Sequence, residues 1–172
     1  MQNNSLAIIV SGTFMLVILY LIVVCIVLLF LRSFHISAAR FHLRTRLRIR
    51  KNYFSEPMKN ELKIRKAFII YWIVAVLTLL GVFWQVYVMT DGYPVEAAVG
   101  GCILYALEWW STRAIYLLRD YWENHDTKAA GFTLAPAGVF KTRMVLFKST
   151  IIATTIMTLS FMTYMLNFGV YY

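Results

Sequence analysis

Residues 6–31 contain no charged side chain, and at about 1.5 Å of rise per residue a helix of that length exceeds the ~30 Å hydrocarbon core of a bilayer. In water such a run would have to be buried on every side. A chain of 172 residues that is 60% hydrophobic has too little polar surface to do that. The solvent for much of this protein is therefore lipid. The preceding MQNNS lacks the basic region of a secretory signal, and the run is too long for its apolar part, so a retained span is expected.

Three further stretches qualify as spans. Residues 67–89 are uncharged, with Tyr71 and Trp72 near one end and Trp84 and Tyr87 near the other, where interfacial aromatic belts lie. DGYPVE, residues 91–96, is a turn. Residues 97–118 are weaker because they hold Glu108 and Arg113, and residues 144–170 carry Lys148, a series of Thr and Ser, and Asn167. The expected fold class is all-α: a polytopic membrane protein with four transmembrane helices in a single membrane domain. Three crossings, with 97–118 buried in protein or lying at the surface, is the alternative.

The net charge of +9 belongs to one loop. Residues 32–66 hold eleven Lys and Arg against Glu56 and Glu61, and the rest of the chain balances at six basic and six acidic groups. Short basic loops stay cytoplasmic. This places 32–66 and the second loop, 119–143, inside, and both termini on the non-cytoplasmic side.

Within that loop, FHLRTRLRIRKN puts Arg44, Arg46, Arg48 and Arg50 at every second position, next to Arg40 and Lys51. Read as a strand, the run needs a partner sheet, and no second convincing strand is present. Read as a helix continuing from the first span, it aligns Ile36, Ala39, Leu43 and Leu47 in one apolar stripe flanked by the arginines. A break is expected near NYFSEP, with Ser55 as cap and Pro57 in a first turn, followed by a return helix from Glu56 to Lys66. The product is a basic cytoplasmic helical hairpin. Arg40, Arg44, Arg46, Arg48, Arg50 and Lys51 are its candidate binding surface, for anionic lipid headgroups or for other membrane subunits or copies of the same chain. Single-strand binders interleave stacking aromatics, and only Phe41, Tyr53 and Phe54 are at hand, so nucleic acid is not an expected partner.

Glu108 lies near the middle of its expected span, where an ionised carboxylate must face protein or water. Arg113, five residues on, sits about 140° away around a helix, so each should meet a partner on another helix or subunit. Thr150, Thr154 and Thr158 share a face of the last span and either bond within and between helices or line a pore. Ala97 and Gly101, then Ala98 and Cys102, form a small-xxx-small surface for close helix packing.

Catalytic and metal chemistry find little support. Cys25 and Cys102 form no metal spacing, and His35 and His42 have no acid or Cys at ligand distance. No phosphate-binding glycine loop, HExxH or GxSxG occurs. No cofactor and no metal is expected. The remaining cluster is Arg119, Asp120, Glu123, His125 and Asp126. Three functions follow in order. The first is a non-enzymatic subunit of a larger membrane assembly of transport or secretion type, or of copies of itself. The second is a homo-oligomeric channel lined by Glu108 and the threonine face. The third is a small membrane enzyme using the 119–126 cluster.

Overall fold

Among the described residues, three helices are long and apolar enough to cross a membrane: Ala7–Phe30, Leu62–Thr90 and Ala137–Phe168. The computed structural model describes residues 2–36 and 43–168. In chain order these form α1 (Gln2–Phe30), β1 (Phe34–Ile36), α2 (Leu43–Asn60), α3 (Leu62–Thr90), α4 (Pro94–Ser111), α5 (Arg113–Glu123), β2 (Phe132–Leu134) and α6 (Ala137–Phe168). The regular structure of the described residues is thus helical apart from two three-residue strands. Helix α4 has 18 residues and includes Glu96 and Glu108, which sets it apart from the three strongly apolar helices.

The four long helices pack side by side in the order α1, α6, α4, α3. Neighbours are antiparallel. Gly81 of α3 faces Leu104 of α4, Gln85 faces Gly101, and Met89 packs on Ala97 and Ala98. Tyr105 of α4 meets Thr158 of α6, and Phe161 and Met162 close over Ala97 and Ala98. The small-residue surface at the start of α4 is therefore a packing surface. Helix α1 meets α6 through Phe14 and Phe161 and through Tyr20 Oη, which donates to Ser149 Oγ at 2.5 Å.

At the basic end of this row, α2, α3, α5 and both strands enclose an aromatic core. Ile49, Tyr53, Ile64, Phe68, Leu118, Trp122 and Phe132 are buried there. Tyr53 is stacked on Phe34 with ring centroids 4.3 Å apart, and Phe132 meets Trp122 edge-on at 4.8 Å. Gly131, with φ of 85°, makes the left-handed turn that feeds Phe132 into this core, a conformation that a side chain would strain.

Several expectations are corrected by these elements. The first helix does not run on into the basic loop. It ends at Phe30, because Arg143 Nη1 donates to the Leu31 carbonyl (2.9 Å) and to Ser33 Oγ (2.7 Å). The chain then pairs with β2, Phe34 opposite Leu134 and Ile36 opposite Phe132. The sequence shows no alternation at either strand because each is only three residues long. Arg40, with Ala39 and Phe41, lies outside the described residues.

Helix α2 also differs from the expected hairpin arm. Leu43 and Leu47, which the sequence aligns in one apolar stripe, are 73% and 54% exposed, and the buried residues of the helix are Ile49, Tyr53 and Pro57. The helix passes through Pro57 and breaks at Glu61, whose backbone is extended at φ −125° and ψ 114°. A proline has no N–H, so Pro57 leaves the Tyr53 carbonyl without its helical donor. The indole Nε1 of Trp122 supplies that donor at 2.9 Å. Finally, the expected helix over 97–118 is two helices, α4 and α5, meeting at Thr112.

Trp122→Phe should therefore cost about 1–3 kcal/mol in unfolding of the detergent-solubilised protein, the penalty of an unmet buried carbonyl. Pro57→Ala restores a backbone donor, so the same substitution should cost about 1 kcal/mol less in that background. Strict additivity of the two changes would show that the indole bond does not answer the proline.

Candidate functional site

Two polar regions stand out, one inside the helical row and one at its basic end. The first is built on Gln85 of α3, which the sequence analysis did not single out. Its side chain is buried, donates from Nε2 to the Ala97 carbonyl (3.2 Å) and accepts from Tyr105 Oη at Oε1 (2.8 Å). Tyr105 Oη also lies 3.2 Å from Thr158 Oγ1. One chain of bonds thus ties α3, α4 and α6. It needs Gly101: a Cβ there would fall 1.3 Å from Gln85 Nε2. A single glutamine in an apolar run carries no periodic signal, but it was visible as the only amide between residues 67 and 89.

The structure separates the three threonines that share a helix face. Thr158 joins this network, whereas Thr150 Oγ1 donates to the Phe147 carbonyl (2.6 Å) and Thr154 Oγ1 to the Thr150 carbonyl (2.8 Å), both within α6. Glu108 stands three residues from the end of α4, half-buried, and its carboxylate makes no hydrogen bond or ion pair with a described residue. Arg113 is exposed at the start of α5. Lys148 pairs with neither of them. Its ammonium lies 4.8 Å from the Trp109 ring centre and 5.3 Å from that of Tyr116, two cation–π contacts.

At the basic end, the alternating arginines of α2 divide. With about 100° per residue, Leu43, Leu47 and Phe54 fall within roughly 40° of one another. Arg46 and Arg50 flank this exposed stripe on one side, and Arg44, Arg48 and Lys51 on the other. Arg46 and Arg50 reach a cavity of about 580 Å³, whose wall they share with Arg32 and Arg143. Tyr53 forms part of that wall. Burial pushes its phenol up to about 12, against a smaller opposing pull from the Arg119 and Arg143 charges. The folded state favours the neutral phenol, so this contribution to stability is complete below about pH 10 and is lost as pH rises toward about 12.

The acidic–histidine cluster on 119–126 is engaged in holding the loop. Arg119 is buried, donates from Nε to Glu123 Oε1 (2.6 Å) and from Nη1 to the Ala135 carbonyl (2.8 Å), and lies over the Phe140 ring. His125 stacks on Tyr121 with centroids 3.9 Å apart, and its Nδ1 lies 2.7 Å from the Tyr121 carbonyl. Asp126 Oδ1 accepts from the N–H groups of Lys128 and Ala129. Among the described residues no group of three or more His, Cys, Asp or Glu is placed to hold a metal ion.

Fold and sites together define a helical protein with three helices suited to crossing a membrane and a basic, aromatic-cored end. No family model matches the chain, and neither a curated protein nor a solved structure shows significant similarity to it.

Tyr105→Phe and Thr158→Val should each destabilise the solubilised protein by about 0.5–2 kcal/mol, while Thr150→Val and Thr154→Val stay within about 0.5 kcal/mol. Gly101→Ala must displace the Gln85 side chain and should cost more than about 2 kcal/mol, with partial recovery in a Gln85→Ala background. Equal effects along the whole threonine face would instead favour a wet lining.

Proposed function

We propose that this chain is a non-enzymatic integral membrane subunit of a larger assembly. It crosses the bilayer four times, with both termini non-cytoplasmic, and docks through a basic cytoplasmic hairpin made by α2 and the start of α3. In support of a fourth crossing, α4 is about 27 Å long and runs antiparallel to α3, close to the ~30 Å hydrocarbon thickness. The positive-inside rule supports the orientation.

The exposed stripe of α2 carries the docking reading. Leu43 and Leu47 are exposed with Arg44, Arg48 and Lys51 beside them, on a helix anchored through Ile49 and Tyr53 in the aromatic core. A surface of that kind meets an acidic partner with an apolar centre. The chain carries exposed acids at the same end, Asp120, Glu123 and Asp126, so a neighbouring copy is the occupant we assign. Glu108, whose carboxylate has no partner among the described residues, provides a second contact within the bilayer. The pore alternative asks Thr150, Thr154 and Thr158 to line a lumen, but their hydroxyls already have partners in the chain. The enzyme alternative asks for free groups on 119–126, where Arg119, His125 and Asp126 hold the loop.

Native mass spectrometry of the gently solubilised protein tests this. The expected species is a multiple of 20.0 kDa that dissociates in Arg44→Glu/Arg48→Glu and reforms when Asp120→Lys is added. Glu108→Gln should weaken the assembly. An oligomer indifferent to the arginine changes would remove the docking surface. Normal assembly of Glu108→Gln with altered conductance would replace the subunit reading by the pore.

A further inference from the structure

The cavity at the basic end is lined by four arginines, Arg32, Arg46, Arg50 and Arg143, and by no acidic side chain among the described residues. Phe34 and Tyr53, stacked on one another, give it an apolar wall, and Ser33 adds a hydroxyl. Guanidinium groups that share a cavity repel one another, and an anion between them turns that repulsion into attraction. Arg143 uses Nη1 to hold Leu31 and Ser33, which leaves its other N–H donors for a ligand and fixes its orientation. The planar fork of arginine matches the oxygens of phosphate better than those of a simple halide. At about 580 Å³ the space exceeds what one inorganic phosphate needs and fits a phosphate carried on a larger molecule.

The position of the cavity selects that molecule. Arg32 follows Leu29 and Phe30, which are 77% and 80% exposed apolar side chains at the end of α1. On α6, Arg143 is followed by Met144, Val145, Leu146 and Phe147, then by Lys148 and, beyond it, a stretch without charged side chains up to Phe168. The cavity thus lies at the charged ends of two helices suited to crossing a membrane, where the proposed crossing puts lipid headgroups. Basic pockets between helices at that depth bind anionic headgroups.

We infer that this cavity binds the phosphate of an anionic phospholipid headgroup through Arg32, Arg46, Arg50 and Arg143. The site uses the Arg46/Arg50 side of α2 and is independent of the Arg44/Arg48 side assigned to docking, so either can fail alone. A soluble phosphate monoester offers the same chemistry, and the experiment separates the two sources.

The test is native mass spectrometry of the purified full chain with phosphatidic acid or phosphatidylcholine added. A one-to-one phosphatidic acid adduct is expected, favoured about tenfold or more over phosphatidylcholine. Arg32→Gln/Arg50→Gln should reduce the preference about tenfold, while Arg44→Gln/Arg48→Gln keeps it. Arg50→Lys retains the charge and is expected to lose a smaller part, which covers the case in which the double variant does not fold. Retention of the adduct in millimolar glycerol 3-phosphate assigns the site to lipid. Its full displacement keeps the phosphate site and assigns it to a soluble monoester. Equal binding of the two lipids, or equal loss in Arg44→Gln/Arg48→Gln, overturns the inference, because general attraction to positive charge would then explain the adduct.

Discussion

The bond from the Trp122 indole to the Tyr53 carbonyl holds the basic end together. Without it, Pro57 would leave an unmet carbonyl inside an aromatic core, and α2 would have reason to end a turn early. With it, α2 continues to Asn60, whose amide donates to Tyr121 Oη at 2.7 Å. The chain then turns over the single residue Glu61 into α3. Tyr53 is therefore fixed at three points: its carbonyl by Trp122, its ring by Phe34, and its edge by Phe54 and Phe132. Because Tyr53 also walls the arginine cavity, the shape of that cavity depends on the same bond.

How legible this was in the sequence depends on how much of each feature is local. Residues 6–31 and 67–89 announce helices suited to lipid because length and lack of charge are properties of one segment. The small-residue surface of Ala97, Ala98 and Gly101 was legible for the same reason. Helix α2 was misjudged at two points where the deciding partner is distant. Pro57 reads as a break until Trp122, on another helix, supplies the missing donor. Leu43 and Leu47 read as the apolar stripe of the helix, and periodicity cannot tell which of two apolar rows faces the core. The row through Ile49 and Tyr53 won because the aromatic partners Phe34, Trp122 and Phe132 gather on that side. Strands β1 and β2 were invisible, since three-residue strands have no period to detect and their pairing joins residues about a hundred positions apart.

The alternation of arginines acquires a physical meaning on a helix. Spaced by two residues, they advance about 200° at each step, so successive arginines lie on opposite flanks. In a strand the same spacing would have put all four on one face. The helix therefore separates one charge run into two sets that can be occupied independently: Arg46 and Arg50 toward the cavity, Arg44 and Arg48 toward the surroundings.

Attachment of the helices is uneven, and this bears on the cavity. Helices α3, α4 and α6 are tied by Gln85, Tyr105 and Thr158 at closely packed backbones, with Gly101 against Gln85 and Gly81 against Leu104. Near the centre of α1 the described residues provide one side-chain tie to its neighbour, an exposed bond from Tyr20 to Ser149 of α6. Arg143 holds the end of α1, and most of the helix's apolar side chains are exposed. Elements with few buried contacts open at lower free energy than the rest of a fold. Arg143 clasps the end of α1 at the wall of a cavity that also contains Arg32, so the repulsion between these charges acts directly on the helix at the edge of the row. An anion in the cavity would relieve that repulsion where α1 leaves the bundle, and its binding would stabilise α1 against α6 more than it stabilises the α3–α4 pair.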